Sequence, residues 1–440
     1  MTNQGKWGAL LHNKDSEKVR EDFFEIIMAQ RDFAPEMKPK IFLTGVIAEG
    51  ITKPENTQDV KKILKKNNCV VRGSATTYTG SVLPHEDEQI IYTGKLDSIE
   101  IKKNVATVGA GTPFYKLINA AREKGLEVPC YPLTYKSATV GGFIANNGIV
   151  GFNSRGTGYF FDYVDEMEVV SPSGTTYKVR GNDIKDFFGS EGQFGVITKL
   201  KINLINKETR YIHMYGFDGI EDILRFLEMN DEVYAFYLMN KVALSHYEKE
   251  LQLKDIPEYT AIVIDKNWKS DYQKKLRTDL AQMGVSYVFP KEILRYCFKK
   301  IGKLEMGILS SKKAGHMGDG IVKIDECYKV LRMAKINNMP LFASVGKKEI
   351  LYRTYSNCNS WIKKQKFMAI MDRLHIFSEP NCVGSFFQEN LKSKPRALRI
   401  EEAKGKYDTK LIAQRAQLYP KKRLRTFLSG FFWMLGGNLW

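Results

Sequence analysis

The chain has 440 residues, 43% hydrophobic and 12% aromatic, enough for buried cores in two or three domains and too apolar for wholesale disorder. It carries 67 Lys and Arg against 50 Asp and Glu, a formal charge of +17, and residues 341–440 alone hold 19 basic and 7 acidic side chains. The sequence shows no secretory leader, no run of ~18–20 apolar residues and no Cys-x-x-Cys pair among six cysteines, which argues against secretion, a membrane span and a structural zinc or iron–sulfur site.

Residues 1–40 read as a helical lead-in, amphipathic over about Ser16–Gln30 and ended by Pro35 and Pro39. A short strand from Ile51 stops at Pro54, Asn56 or Thr57 caps a helix over Gln58–Lys66, and Cys69–Arg72 forms a second strand, a β-α-β unit. Strands at Gln89–Thr93, Ile99–Lys102 and Ala106–Val108 and a helix at Pro113–Lys124 follow. A strand from Thr198 to Ile205 closes the first domain, placed at 41–205. Beyond it glycine thins out and helices lengthen, with helices at Ile220–Met229, Asp271–Met283 and Ile324–Ile336 and strands at Tyr259–Ile264 and Leu341–Ser344. This second, α+β domain covers 206–415, and a basic-aromatic segment covers 416–440.

Three stretches of the first domain point to chemistry. Gly73-Ser-Ala-Thr-Thr-Tyr-Thr-Gly80 follows a strand, and its small residues let backbone N–H groups approach a phosphate. Residues 139–158 contain six glycines and three asparagines, a density that suits turns at positive φ or backbone lying against a flat ligand. Phe188-Gly-Ser-Glu-Gly-Gln-Phe-Gly-Val-Ile-Thr198 is a turn feeding a β-branched strand. The Rossmann and Walker glycine patterns do not occur at Gly73–Gly80.

With Asp162-Tyr-Val-Asp-Glu-Met-Glu-Val-Val-Ser-Pro-Ser-Gly174 between them, these elements resemble, over about residues 40–205, the FAD-binding domain of the p-cresol methylhydroxylase/vanillyl-alcohol oxidase superfamily, the FAD-linked oxidases. The resemblance implies an α+β fold, with a two-subdomain FAD-binding domain and an α+β substrate or cap domain. It implies that Arg72, Gly73, Ser74, Ala75, Thr76 and Thr77 cradle the FAD pyrophosphate. Thr139, Gly141, Gly142, Ala145, Asn146 and Gly148 would line the isoalloxazine and pyrophosphate, and Ile197 would offer backbone contact at the adenine end. Ala75 replaces the family's second glycine, which the turn tolerates if φ stays negative. Thr76 stands where relatives that bond FAD covalently place a histidine, so non-covalent FAD is expected, and His85 is expected to be an exposed loop residue.

Within the superfamily the layout is similar to the D-lactate dehydrogenase/glycolate oxidase FAD-subunit group, which implies oxidation of a 2-hydroxy acid by hydride transfer to flavin N5. That group places metal-binding histidines in two cap motifs, and this chain matches both poorly. His316-Met-Gly-Asp-Gly-Ile-Val322 lacks the Asn and second His, and leaves two readings for His316 and Asp319: a metal site or a surface loop. Ser344-Val-Gly-Lys-Lys-Glu-Ile, better placed for the first motif, has no histidine, and Ser378-Glu-Pro-Asn-Cys-Val-Gly384 keeps Glu379 with Asn381 near the place of the catalytic histidine. No metal ligand is assigned. Glu379, Tyr352 and Tyr355 are candidate bases beside Asn381, and Arg353 is a candidate bidentate clamp for a carboxylate.

Nine of the last fourteen residues are large and apolar, and Lys421-Lys-Arg-Leu-Arg precedes them. The segment is either an interfacial anchor on anionic lipid or a fold-back onto the flavin domain. The expectation is therefore a cytoplasmic FAD-dependent dehydrogenase acting on CH–OH groups, peripheral at the inner membrane face if the tail is exposed, passing electrons to a quinone or electron-carrier protein. The alternatives are an enzyme of a sugar, polyol or lipid-linked alcohol, and a non-catalytic flavin-fold subunit. Nucleic acid is not an expected partner, because the basic residues sit in no fold of that kind.

Overall fold

The computed structural model describes residues 48–65, 68–77, 81–84, 88–148, 154–231, 233–245, 256–265, 287–288 and 316–356, with single turns between 366 and 407. The lead-in, His85, the helix expected at Asp271–Met283, Glu379, Asn381 and the C-terminal segment lie outside the described residues.

The first unit is a small parallel sheet. β1 (Gly50–Thr52) leads through Asn56, whose side chain accepts from the N–H groups of Gln58 and Asp59, into helix α1 (Thr57–Leu64). β2 (Cys69–Arg72) and β3 (Gln89–Tyr92) complete it. The expected β-α-β unit is modified, because β3 inserts between the other two and pairs parallel with each, giving the order β1-β3-β2. Ile90 and Ile91 of that central strand are fully buried, one toward each side, so the middle position goes to the most apolar strand.

β4 (Ile99–Lys102) and β5 (Val105–Gly109) form a hairpin, followed by α2 (Phe114–Glu123), the two-residue strand β6 (Leu126–Glu127), α3 (Val140–Ala145) and the short α4 (Ser154–Thr157). β7 (Val164–Val170), β8 (Thr176–Arg180), α5 (Ile184–Phe187) and β9 (Val196–Asn203) come next. These strands make an antiparallel sheet in the order β4-β5-β9-β7-β8, and β10 (Ile205–Asn206) pairs with β6. Glu168 of β7 accepts hydrogen bonds from Thr57 Oγ1 at 2.6 Å and Thr198 Oγ1 at 2.8 Å, which ties the start of α1 to this sheet.

From Tyr211 the chain builds a separate seven-stranded antiparallel sheet. Its elements are β11 (Tyr211–Phe217), α6 (Ile220–Met229), β12 (Ala235–Asn240), α7 (Lys241–Ser245), β13 (Tyr259–Asp265), β14 (Tyr287–Val288), β15 (His316–Lys323), α8 (Cys327–Ile336), β16 (Leu341–Val345) and β17 (Glu349–Ser356), and the strand order is β14-β11-β13-β12-β16-β17-β15. Side chains alternate across a strand, and here both faces are used. Phe236, Leu238, Leu341, Ala343, Ile350 and Tyr352 pack with Ile223, Phe226, Val330 and Leu331 of α6 and α8. Tyr237, Met239, Phe342 and Tyr355 turn the other way and join the core of the five-stranded sheet. The sheet is thus a wall with helices behind it and the first domain in front.

Arg155 fastens the two parts. The residue is 3% exposed and its guanidinium donates to three main-chain carbonyls: Nε to Asn230 at 2.8 Å, Nη1 to Gly346 at 3.1 Å and Nη2 to Leu227 at 3.0 Å. Two of these carbonyls belong to the C-terminal end of α6, where a cation is favoured by the helix dipole. The next residue, Gly156, lies so close to the backbone leading into β12 that a Cβ would sit 2.9 Å from Tyr234 Cα. The glycine-rich run 139–158 therefore does two jobs. Its first half faces a cleft, and Ser154–Gly158 docks the second domain instead of lying along a ligand.

The segment His316–Val322 is not a surface loop: it belongs to β15, paired in register with β17 from His316↔Ser356 to Lys323↔Glu349. Gly318 and Gly320 turn toward the helix-covered side, where Met371 and Tyr352 leave no room for a Cβ. Asp319 consequently shares the opposite face with its cross-strand partner Arg353. No helix among the described residues is long and apolar enough to cross a membrane.

Candidate active site

A cleft enclosing about 1380 Å³ of space, part of it open to solvent, runs between the loop after β2, helix α3, the turn before β9 and the front face of the seven-stranded sheet. Gly73, Ser74, Ala75, Thr76, Thr77, Thr139, Gly141, Gly142, Ala145, Asn146, Gly148 and Ile197 all line it. The sequence scatters these residues over 125 positions; the fold brings them together. Arg72 does not line the cleft: it ends β2 opposite Tyr92, and its carbonyl accepts from Thr93 Oγ1 at 3.3 Å.

Thr139 organises one wall. Its Oγ1 caps α3 by accepting from Gly142 N–H at 3.3 Å, and Gly73 packs directly on that hydroxyl, where a Cβ would come within 2.6 Å. Thr77 Oγ1 donates to Asn146 Oδ1 at 3.1 Å, so the loop after β2 is tied to both ends of α3. Phe143 stacks edge-on against Phe114 and Phe160, which holds the helix to the core behind it. Ala75 has φ of 50°, so the expectation of a negative φ fails: the alanine takes the left-handed turn that the family's glycine adopts freely.

The opposite wall comes from Ser344 of β16 with Leu351 and Arg353 of β17. Register explains the set, since Ser344 pairs with Leu351 and Arg353 is two residues further along the same face. Tyr352, between them, points to the other side. It is fully buried behind the sheet, its hydroxyl 2.9 Å from Ser378 Oγ, and burial pushes its pKa well above the ordinary tyrosine value. It is not placed to act as a base on anything in the cleft. Tyr355 faces forward but packs into the core of the first domain. Among the described residues no three His, Cys, Asp or Glu side chains gather as metal ligands would.

Several lining residues were unassigned by sequence reasoning. Ser190, Glu191, Gly192 and Gly195 come from the Phe188–Thr198 turn, a stretch noticed as a motif without residue roles, and Ser344 comes from one noticed for its missing histidines. Leu133 and Thr134, in the loop after β6, carried no composition signal.

The cleft suits an elongated, polar, phosphate-bearing ligand. Its described lining is rich in glycine, alanine and hydroxyl residues, with Glu191 and Arg353 its charged side chains, so a phosphate would be met by amides and hydroxyls.

Comparison with known proteins agrees with this chemistry. Residues 48–180 match the family model of the FAD binding domain. The chain is 34% identical over 170 residues to a D-lactate dehydrogenase of Archaeoglobus fulgidus, covering 35% of this chain and 38% of that protein. It is 29% identical over 191 residues to the glycolate oxidase subunit GlcD of Bacillus subtilis, covering 39% and 40%. The matched region thus spans about two-fifths of the length of these relatives. Among solved structures, an alkyldihydroxyacetonephosphate synthase superposes with a TM-score of 0.66 at 12% identity, over 93% of this chain and 85% of that one, which establishes the shared fold. The chain thus resembles the FAD-linked oxidases, its residues 48–180 matching an FAD binding domain, and FAD is its cofactor.

Proposed function

We infer that this chain is a dehydrogenase of a small 2-hydroxy acid. The observation that carries the reading is Arg353, a guanidinium on the cleft wall opposite Gly73–Thr77 and α3, borne by the strand next to the sheet's edge with Asp319 of the edge strand across from it. A planar guanidinium matches a carboxylate with two parallel hydrogen bonds and fixes its orientation. Bound FAD supplies the acceptor for a hydride leaving the substrate Cα. The chain supplies the rest: Gly73–Thr77 and Thr139–Gly148 hold the cofactor without a covalent bond, and Arg353 anchors the substrate carboxylate. The hydroxyl proton passes to a base, for which Glu379, with Asn381 near it in sequence, remains the candidate. The hydride and this proton together account for oxidation of the alcohol to the 2-oxo acid. The D-lactate dehydrogenase and glycolate oxidase names of the relatives support the same substrate class.

Among the described lining residues Arg353 is the single cation. One guanidinium matches one carboxylate, so lactate- or glycolate-sized acids are the substrates expected first, with dicarboxylic 2-hydroxy acids included in the panel. A quinone or an electron-carrier protein would reoxidise the flavin, and the basic-aromatic segment 416–440 would bring the enzyme to an anionic membrane surface or to an acidic carrier. The missing histidines of both cap motifs favour the second reading, oxidation of a sugar, polyol or lipid-linked alcohol. Anaerobic bleaching of the bound flavin by a panel of 2-hydroxy acids, polyols and lipid alcohols decides. Reduction by monocarboxylic 2-hydroxy acids is expected, and bleaching by the neutral alcohols alone would overturn the assignment.

A further inference from the structure

Among the described residues lining the cleft, those from the second domain all sit on one hairpin. Ser344, Leu351 and Arg353 belong to β16 and β17, and the turn between these strands is closed by Gly346 N–H donating to the Glu349 carbonyl at 2.8 Å. How far that face stands from the flavin wall depends on contacts between the two domains.

The turn itself is gripped by the first domain. Arg155 Nη1 donates to the Gly346 carbonyl at 3.1 Å, and Tyr159 Oη accepts from Lys348 N–H at 3.4 Å. The same guanidinium holds the Leu227 and Asn230 carbonyls at the end of α6 and lies 5.9 Å from the centre of the Phe236 ring of β12. One side chain therefore joins α6, β12 and the β16–β17 turn to a segment that continues, in sequence, the run 139–148 of the facing wall.

The chemistry of the contact suits placement better than cohesion. Arg155 is a buried cation whose hydrogen bonds all go to neutral main-chain carbonyls, an expensive choice beside an apolar side chain of the same size. What a planar fork adds is direction: its donors point along fixed lines and fit only one arrangement of the three carbonyls. Gly346 directly follows β16, so a shift at the turn passes along the strand to Ser344 and, across the pairing, to Leu351 and Arg353.

We propose that Arg155 is a positioning residue: through the β16–β17 turn it fixes the gap between the wall that bears Arg353 and the wall that holds FAD. Its consequence for turnover rests on the reading of Arg353 as the substrate anchor, whereas the gap itself does not.

The test uses the full-length holoenzyme as wild type, Arg155→Met and Arg155→Lys, each studied below its melting transition. Acrylamide quenching of the bound flavin's fluorescence reports how well the cleft is covered and needs no substrate. Arg155→Met fills the space without the fork, and its quenching constant is expected to rise about twofold as solvent gains access, with the flavin content of the wild type. With a hydroxy acid that reduces the wild-type flavin, its limiting rate of reduction should fall about 10–100-fold while the half-saturating concentration moves less than about threefold, the pattern of a displaced anchor. Arg155→Lys keeps the charge but not the fork and should fall between; if Arg155→Met binds no flavin, the same readings on Arg155→Lys decide. Wild-type quenching in the folded variants, whether the melting temperature alone falls or reduction also slows, would overturn the proposal. Raised quenching with a wild-type rate, or a wild-type flavin that no hydroxy acid reduces, would leave the gap in place and instead remove Arg353 from the role of substrate anchor.

Discussion

The two walls of the cleft are built on different principles. The wall formed by Gly73–Thr77 and α3 depends on backbone: glycines, an N-cap hydroxyl and one non-glycine residue, Ala75, at positive φ. The wall formed by β16 and β17 is made of side chains on regular antiparallel strands, and strand alternation decides which of them face the cleft. A backbone wall depends on every small residue keeping its place, so single atoms matter. A side-chain wall depends on register, so neighbours in sequence have unrelated roles.

The sharpest test of that contrast is the pair Arg353 and Tyr352. Arg353→Gln should slow substrate-driven flavin reduction by about 10²–10³-fold, the usual penalty for stranding one partner of a buried charge pair, while the flavin content stays at the wild-type level. Loss of flavin together with activity would mean that the guanidinium serves the cofactor or the fold instead.

On the backbone wall, Gly73→Ala should lower FAD affinity about tenfold, because the new Cβ displaces Thr139 Oγ1 and disturbs a cap worth about 1 kcal/mol. Equilibrium dialysis of FAD measures it, and unchanged affinity would show that the loop and α3 adjust independently.

Tyr352→Phe is the side-chain control. It removes the hydroxyl that meets Ser378 Oγ, so about 1 kcal/mol of stability should go, read as a small fall in melting temperature, while the rate of flavin reduction stays within twofold. A rate loss like that of Arg353→Gln would return Tyr352 to the chemistry.

The smallest effect is expected at Ala75. Ala75→Gly relieves a φ of 50° but gains unfolded-state entropy and loses a buried methyl, so a net stabilisation of about 0.5 kcal/mol is expected in a denaturant midpoint, with FAD retained. A clear destabilisation would mean that the methyl's packing outweighs the strain.

These two walls were not equally legible. The stretches Gly73–Gly80, Thr139–Gly158 and Phe188–Thr198 marked residues that line the backbone wall of the cleft, since such a wall needs particular small residues at particular turns and leaves that need in the sequence. Helix α6 and the strands at Ile99–Lys102 and Cys69–Arg72 were equally clear from local patterning. The cap wall was obscure. Arg353 and Tyr352 are adjacent, and composition cannot say which face of β17 looks at the cleft when both faces are covered by apolar neighbours. Arg155 was hidden for a related reason: its partners are carbonyls of Leu227, Asn230 and Gly346, which have no sequence signature at all.

The sequence by itself determined the cofactor class, because phosphate-cradling loops are local and their glycine, alanine and hydroxyl residues are dictated by steric access. Tertiary structure decided the rest. It turned His316–Val322 into a paired strand, set Asp319 beside Arg353, moved Tyr352 behind the sheet and brought Glu191 to the end of α3. Each of these follows from long-range strand pairing and packing, in which a shift of one residue reverses the face that a side chain presents.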